Sequence, residues 1–315
     1  MALFKILNEA SKKLDGVLGV AVEHLESGEY ASLNGDELFP SASVRKIPIL
    51  AEFFRQVEKG GLHLDQKITV TRKDFGLGSG ILKELTPDFE LTLRDLASLM
   101  MILSDNTAAD IILEKVGLEN IKNCLQLMGL NKTKLVANSK QILFDLIGWD
   151  HLPPKEKTFE VYQEKARKAT FRGTWSIGVK NNNVTTPNEM LRLLKMIVKY
   201  EVVNCESSTA ILDIMNRCQT GRYRISKYLP RGKVLVADKT GEIPGIRNDV
   251  GVITILETGE RYVLSCFTKK ASDVFAAEET IATVSKNIYE YFTRTARAQM
   301  ACPRPLGSAI PPPSA

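Results

Sequence analysis

The sequence lacks the features of a metal-binding or disulfide-stabilised protein. Its five cysteines are an odd number, and no C-x-x-C pair occurs among them. Cys124 and Cys266 lie among apolar neighbours, as is typical of small core residues. We therefore predict neither a disulfide framework nor a zinc site.

Histidine and long apolar runs are also scarce. Only His24, His63 and His151 are present, and none lies in a motif typical of a histidine-activated nucleophile. No stretch approaches the ~18 apolar residues of a membrane-spanning helix. The N-terminus has no apolar core of secretory type after a basic start. We expect no membrane span and a cytoplasmic protein as the sequence stands, or a secreted or periplasmic one if a leader has been removed.

A concentrated basic surface is missing as well. The net charge is +5 and the isoelectric point about 8.8. Lysines and arginines alternate with acids along the 315 residues, whereas a nucleic-acid binder typically concentrates them with aromatic residues on one stripe. We predict no nucleic-acid binding, and the length allows one large domain or two ordinary ones.

The periodicity of apolar residues changes twice along the chain. A predicted helix over 3–14 precedes a hairpin, and from 43 to about 198 the apolar residues mostly recur at three and four. Short apolar runs then return before a final helix over about 272–297. The predicted strands cover 17–25, 29–34, 234–238, 250–256 and 262–267.

This order predicts an α/β fold of the α+β type, with one antiparallel five-stranded sheet built from both ends of the chain and an all-helical domain. The sheet domain is expected at 1–42 and 199–297, and the helical domain at 43–198 with an enlarged loop at about 132–184. The nearly continuous late strands predict helices on both faces of the sheet. The proline-rich end, 298–315, is expected to be a disordered tail.

Two helix starts have capping signals. Thr92 and Asp95 are spaced as a capping box ahead of a buried apolar helix. Thr186 is a predicted N-cap, followed by Pro187 in the first turn and by Glu189, which is placed to complete a second box.

Three short motifs, each present once, indicate a catalytic site. Singly, each is common on helix faces, caps or turns. In this sequence they follow one another in characteristic settings: the first opens a helix, the second lies between two helices and the third ends a predicted strand. The motifs are S-x-x-K at Ser43 to Lys46, S-D-N at Ser104 to Asn106, and K-T-G at Lys239 to Gly241.

The first motif fits a nucleophile and its base. Residues three apart on a helix share a face, so the Lys46 amine can reach the Ser43 hydroxyl. A serine attacks well only when a neighbouring base takes its proton. A helix N-terminus and the charge of Lys239 would both lower the pKa of Lys46 towards that role.

The other two motifs fit substrate handling. Ser104 would relay a proton to the leaving group, and Asn106 would hold a substrate amide. Lys239 and Thr240 would bind a substrate carboxylate. The backbone N–H groups of Ser43 and of Glu242, which follows Gly241, would form an oxyanion hole, where each donor is typically worth ~3 kcal/mol.

These motifs and their neighbours resemble class A β-lactamases and related penicillin-binding serine hydrolases over residues 3–297. The resemblance implies a β-lactamase-like two-domain fold with its active site in the seam, and an acyl-enzyme on Ser43. Arg247 falls where many relatives keep a cation for the substrate carboxylate, although a surface arginine is an equal alternative. The segments that carry the resemblance are 18–22, 39–40, 104–108, 185–187, 238–241 and 247–249.

The chemistry implied needs no metal and no organic cofactor, because serine, lysine and backbone donors suffice. The expected partner is a small-molecule substrate that carries a carboxylate and an acyl group.

Two departures separate the sequence from the family pattern. The E-x-x-L-N motif, whose glutamate activates the deacylating water in family β-lactamases, is missing from a long interval between S-D-N and Thr185. Glu242 places an acid where it would disfavour ordinary penicillins. Trp149 and Trp175 are candidates to line a pocket, with a core role expected for at least one. The acids in the interval that are candidates to replace the glutamate, each by default a solvated charge, are Asp145, Asp150, Glu156 and Glu160.

Three functions are compatible with these residues. The first is a β-lactamase, possible but slow without a recognisable deacylation base. The second is a relative that acts on another amide, ester or thioester, such as a peptidase, an esterase or a biosynthetic acyl-transfer enzyme. The third, a non-catalytic penicillin-binding sensor, is disfavoured by the intact motifs.

Overall fold

The computed structural model describes residues 2–170 and 179–301. The long elements follow the predicted order, but four short strands between residues 39 and 185 were not predicted, and the pair at 67–70 and 89–92 corrects the expectation that the middle domain is all-helical. Ten α-helices and nine strands are present in these ranges. The helices are α1 Ala2–Ser11, α2 Lys46–Glu58, α3 Leu93–Ile102, α4 Asn106–Val116, α5 Leu118–Leu127, α6 Ser139–Leu146, α7 Phe159–Ala166, α8 Pro187–Val198, α9 Cys205–Asn216 and α10 Val274–Ala301. The strands are β1 Val17–His24, β2 Tyr30–Leu33, β3 Phe39–Pro40, β4 Lys67–Val70, β5 Phe89–Thr92, β6 Val184–Thr185, β7 Val234–Ile243, β8 Ile246–Ile255 and β9 Arg261–Lys269.

The predicted five-stranded antiparallel sheet is confirmed. Its strand order is β2-β1-β9-β8-β7, so the first strands of the chain pair directly with the last one. Val17 lies opposite Lys269 and His24 opposite Tyr262 along the β1–β9 ladder. This long-range pairing brings both ends of the chain into one sheet.

Helices cover both faces of the sheet, as the continuous apolar strands predicted. Because side chains alternate along a strand, Val20 and Val22 pack with α1 and α10 on one face. Ala21, between them, packs into the larger core on the other face, where α8 contacts β1 and β9. The sheet is therefore the middle layer between two helical layers.

The helical part of the molecule packs around α2. Apolar residues of α2, including Phe53, are fully buried in one core with residues of α3, α4, α5 and α9. Helix α9 was not predicted. It contacts α2 and α3 on one side and β7 on the other, so it joins the helical group to the edge of the sheet.

Three details correct the predictions. Strand β7 does not end at the K-T-G motif, because its pairing with β8 continues to Ile243 opposite Ile246. Thr186 caps α8, but the Glu189 carboxylate accepts from the backbone N–H groups of Lys132 (2.8 Å) and Thr133 (2.6 Å) and does not complete a capping box. Helix α10 extends to Ala301, so the first four residues of the predicted tail are helical.

The segment predicted as an enlarged loop at 132–184 contains helices α6 and α7. Trp149 contacts a small apolar cluster there, together with Phe144 and Ile147, which agrees with a core role. Trp175 and the remainder of the tail, 302–315, lie outside the described residues. Among the helices of 2–170 and 179–301, none combines the length and apolarity needed to cross a membrane.

Candidate active site

The three motifs meet at a cavity of about 470 Å³ between β7 and the helical group. Ser43 lines it from the segment before α2, Ser104 and Asn106 from the α3–α4 junction, and Thr240 and Glu242 from β7. The structure thus brings together residues that are far apart in the sequence, at the seam the resemblance implies.

Ser43 lies in a tight turn that is held from the sheet. Residues Ala42–Arg45 form a 3₁₀ helix that leads directly into α2, and Ala42 has a left-handed backbone with φ of 45°. The Asn248 side chain of β8 donates to the carbonyls of Pro40 (2.9 Å) and Ser41 (3.3 Å). Because 3₁₀ geometry aligns residues three apart, the turn keeps Ser43 and Lys46 on one side.

Gly241 allows β7 to pass close to this turn. A Cβ atom added at this position would lie 2.8 Å from the Ser41 carbonyl oxygen and 3.2 Å from the Ser43 nitrogen. Such distances exclude a side chain, so the glycine of K-T-G is a requirement of close packing. The approach places the backbone of β7 next to the Ser43 N–H, as the predicted oxyanion hole requires.

Lys46 is fully buried and hydrogen-bonded to the S-D-N motif. Its Nζ donates to the Ser104 carbonyl (2.7 Å), the Ser104 hydroxyl (3.1 Å) and Asn106 Oδ1 (2.7 Å). Burial, followed by the charges of Lys239 and Arg45, lowers the pKa of the Lys46 amine well below its usual value. In the described residues, no carboxylate forms an ion pair with this amine.

Lys239 reaches the same serine from the sheet. Its Nζ donates to the Ser104 hydroxyl (3.0 Å) and to its neighbour's carbonyl, that of Thr240 (2.8 Å). Burial lowers the pKa of Lys239, while Cys218 and Asp238 act in the opposite direction. Ser104 itself has a left-handed backbone, with φ of 55°, which turns its side chain towards both amines.

The neighbours of Ser104 have different structural roles. Asp105 caps α4 by accepting from the Ala108 N–H (3.0 Å). Asn106 uses both ends of its amide, because Oδ1 accepts from Lys46 and Nδ2 donates to the Leu77 carbonyl (2.6 Å). Asn106 still lines the cavity, where each end keeps one further hydrogen-bonding position.

The β7 side of the cavity contains hydroxyls and a charged network. The hydroxyls of Thr220 and Thr240 are 2.5 Å apart, and both residues line the cavity. Arg247 also lines it, but its Nε donates to Glu278 (3.1 Å). Arg247 is thus a partly buried residue, and its charge is already paired with the Glu278 carboxylate.

Glu242 forms an ion pair with Arg224, a buried arginine that the sequence reasoning missed. Arg224 also donates to Glu278 (2.9 Å), so Glu278 joins both arginines of this network. The negative charge of Glu242 is therefore partly balanced by a neighbour 18 residues away, which no local pattern could reveal.

The four candidate deacylation acids lie away from the cavity. Asp145 is buried beside Lys157 (3.6 Å), and burial raises its pKa against the effect of that lysine. Glu160 forms an exposed ion pair with Arg72 (2.7 Å). Asp150 and Glu156 are exposed. None of the four lines the cavity formed by the described residues.

Two further cavity residues were missed. Arg45 is inside the S-x-x-K motif, and its Nη2 donates to the Ser139 hydroxyl (2.5 Å). Asn183 accepts from the Ser41 N–H (2.8 Å) through its carbonyl and donates to Ala137 (2.9 Å) through its side chain. Asn183 thus links the segment before α6 to the turn that contains Ser43. Arg45 could have been predicted from the sequence, because a charged residue between Ser43 and Lys46 must lie close to the site.

Comparisons with known proteins agree with this geometry. Residues 2–292 match the sequence profile described as the Beta-lactamase enzyme family. The chain is 26% identical to β-lactamase VEB-1 and 27% identical to the extended-spectrum β-lactamase PER-1, both of Pseudomonas aeruginosa. The first alignment covers 87% of this chain and 85% of VEB-1, and the second covers 87% and 82%.

Solved structures give the same result. The crystal structure of a β-lactamase from Sphaerobacter thermophilus superimposes with a TM-score of 0.76 at 26% identity, covering 93% of this chain and 97% of the other. PBP-A superimposes with a TM-score of 0.75 at 25% identity, covering 93% and 97%. The predicted resemblance and fold are confirmed, and the chain belongs to the β-lactamase family of serine hydrolases.

Proposed function

We propose that the protein forms an acyl-enzyme on Ser43 with small amide or ester substrates, β-lactams among them, and releases the acyl group slowly. The main support for this proposal is the environment of the Lys46 amine. This amine is buried, is hydrogen-bonded to Ser104 and Asn106, and has no carboxylate partner among the described residues. A lysine in this setting is a proton acceptor and needs no histidine.

Acylation begins with the Ser43 hydroxyl, which has no hydrogen-bond partner among the described residues. Its oxygen attacks the substrate carbonyl as the proton passes to Lys46 Nζ. We assign stabilisation of the resulting oxyanion to the N–H groups of Ser43 and Glu242, because Gly241, the neighbour of Glu242, approaches the Ser43 nitrogen closely.

Collapse of this intermediate breaks the bond to the leaving group. The leaving nitrogen or oxygen takes a proton from the Ser104 hydroxyl, which lies within hydrogen-bonding distance of both Lys46 and Lys239. Ser104 recovers that proton from Lys46, which returns to its neutral form. The proton taken from Ser43 is thereby delivered to the leaving group.

The β7 side of the cavity suits a carboxylate on the leaving group. The hydroxyls of Thr220 and Thr240 line it, and the buried charge of Lys239 lies behind them. Arg247 adds a second positive charge, shared with Glu278. These donors support a small-molecule substrate with a carboxylate, as in penicillins, although Glu242 reduces the positive potential.

Slow deacylation follows from the scarcity of acids at the cavity. In the described part of the chain, Glu242 is the sole carboxylate that lines it, and Glu242 pairs with Arg224. We assign the task of activating the attacking water to Lys46, which is a weaker arrangement than a dedicated carboxylate. A mutant of the similar protein PBP-A has been captured as an acyl-enzyme complex with penicillin G, which supports the choice of a penicillin as probe.

The apolar wall of the cavity favours a second candidate, a non-β-lactam amide, ester or thioester. Ile142 and Leu143 of α6, and Ile243 and Pro244 at the β7–β8 turn, line the cavity around its polar centre. Such a wall suits a bulky apolar acyl group, and the same Ser43 chemistry would serve it.

Intact-protein mass spectrometry after mixing with penicillin G tests the proposal. We expect a mass increase equal to one whole penicillin, because opening of the β-lactam ring loses no atoms. The adduct should persist for minutes and should be missing in Ser43→Ala. Peptide mapping would place it on the Ser43 peptide.

Two outcomes would change the proposal. Rapid disappearance of penicillin without an adduct would show fast turnover, and slow release would be wrong. An unmodified protein together with stable penicillin would exclude penicillins and leave the second candidate, for which p-nitrophenyl esters and thioesters of apolar acids are suitable substrates.

A further inference from the structure

Arg45 is a buried cation on the α6 side of the cavity, two residues after the nucleophile. It is 4% exposed and lines the cavity together with Ser139, to which its Nη2 donates (2.5 Å). Arginine keeps its charge in proteins and has five N–H donors in a planar fork. A buried charge of this kind is costly unless ionic and hydrogen-bonding partners satisfy it.

The partners that the described residues supply are incomplete. Arg45 Nη1 is buried and has no hydrogen-bond partner among residues 2–170 and 179–301. The nearest carboxylate is Asp110, whose Oδ1 is 3.8 Å from Nη2. That carboxylate already accepts from the N–H groups of Ser139 (2.8 Å) and Lys140 (3.1 Å), so its charge is shared with the start of α6.

Among the described residues, no acid lines this side of the cavity. The four acids of the 132–184 segment lie away from it, and Glu242 is engaged by Arg224 on the β7 side. Lys46, the next residue, is a base and not an acid. In the part of the chain that the structure describes, Arg45 therefore keeps a donor nitrogen without an acceptor.

We propose that Arg45 is a specificity-determining residue that binds a carboxylate on the acyl portion of the substrate. The preferred substrate then carries two carboxylates, one on the leaving group near Thr240 and one on the acyl group near Arg45. Ile142, Leu143 and Tyr162, which line the same side, would contact the apolar remainder of the acyl group. The inference rests on the proposed function only for the orientation of the substrate across Ser43.

Two penicillins that differ in one group test this subsite. Carbenicillin is benzylpenicillin with an additional carboxylate on the acyl side chain. Binding of both to full-length Ser43→Ala protein is measured by titration calorimetry, because this variant cannot be acylated. We expect carbenicillin to bind about tenfold more tightly, the difference that one good charge-assisted hydrogen bond gives. Equal affinities, or no binding of either, would overturn the subsite.

Substitution of the arginine locates the effect. In Ser43→Ala/Arg45→Gln the ratio of the two affinities should fall to about one, and a retained preference would show that another residue binds the carboxylate. The control is Ser43→Ala/Lys140→Gln, which removes a nearby charge that does not line the cavity, and it should keep the preference.

A second variant keeps the test possible if the Arg45→Gln protein does not fold. Arg45→Lys keeps the charge but loses the planar fork, so the preference should fall at least threefold. An unchanged ratio would contradict the proposal. Because binding to Ser43→Ala needs no chemistry, these results are independent of whether penicillins acylate Ser43, which the mass-spectrometric experiment decides.

Discussion

The Nζ atoms of Lys46 and Lys239 lie within hydrogen-bonding distance of one and the same atom, the hydroxyl oxygen of Ser104, at 3.1 and 3.0 Å. Two ammonium groups this close in a buried site repel each other strongly, so the arrangement favours a neutral amine at one of them. Lys46 is the better candidate, because the charges of both Lys239 and Arg45 add to its burial in lowering its pKa. The charge of Lys239 thus favours a neutral Lys46 amine, which can accept a proton without help from a glutamate.

The pH dependence of acylation should report this pair. Acylation should accelerate as pH rises through the lowered pKa of Lys46, because only the neutral amine accepts the Ser43 proton. In Lys239→Met, loss of a neighbouring charge should raise that pKa and shift the ascending limb to higher pH. The measurement is the acylation rate against pH. Lys233→Met, at an exposed lysine, is the control, and an unshifted limb in Lys239→Met would contradict the coupling.

The left-handed backbone of Ser104 predicts an unusual order of stability. Both Ser104→Ala and Ser104→Gly lose the hydroxyl, but only glycine adopts a φ of 55° without strain. The glycine variant should therefore have the larger free energy of unfolding, by about 1 kcal/mol, in urea denaturation. At Ser98, inside α3, the order should reverse, because alanine is the better helix former. Equal stability of the two Ser104 variants would show that the strain is absent.

Glu242 should oppose anionic substrates. Glu242→Gln removes the carboxylate that lines the cavity and leaves Arg224 paired with Glu278. Acylation by penicillin G should become about threefold faster, because the carboxylate is largely exposed and such charges are worth under about 1 kcal/mol. The gain should shrink at high salt. A neutral ester serves as the control substrate, and a similar gain with that ester would exclude an electrostatic cause.

Two buried carboxyls should make stability fall with rising pH. Burial raises the pKa of Asp238 well above its usual value, and it raises that of Asp249 to about 6. For Asp249 the folded protein binds more protons than the unfolded chain between about pH 4 and 6, and for Asp238 the same excess begins at about pH 4 and lasts until its own raised pKa is passed, so the free energy of unfolding decreases as pH rises from about 4. The contribution of each carboxyl is fully present below about pH 4 and is lost as pH rises through its raised pKa.

Urea denaturation between pH 4 and 7 measures this effect. Each excess bound proton gives a slope of about 1.4 kcal/mol per pH unit. Asp238→Asn should flatten the decrease, whereas Asp213→Asn, at an exposed carboxylate, is the matched control. If Asp238→Asn keeps the full slope, the protons are bound elsewhere.

Local patterns predicted much of the fold correctly. The Thr92–Asp95 capping box is present, and the apolar strands of the late chain form the predicted hairpin. Helix α9 was missed because its sequence, Cys205–Asn216, is mixed in character and is stabilised by contacts with α2, α3 and β7. The role of Glu189 was predicted wrongly for a similar reason. Its carboxylate oxygens accept hydrogen bonds from the backbone N–H groups of Lys132 and Thr133, which are distant in sequence, and not from the start of its own helix.

By itself, the sequence predicted which groups would lie together at the candidate site: a serine and a lysine three residues apart, a serine and an asparagine at a helix start, and the lysine, threonine and glycine of the K-T-G motif. These features are local and follow from spacing and side-chain chemistry. Only the tertiary structure decided their state. The burial that lowers the pKa of Lys46, the pairing of Glu242 with Arg224 and the unsatisfied guanidinium of Arg45 depend on residues brought together by long-range packing. Desolvation and charge coupling act through space, so no pattern along the chain could fix them.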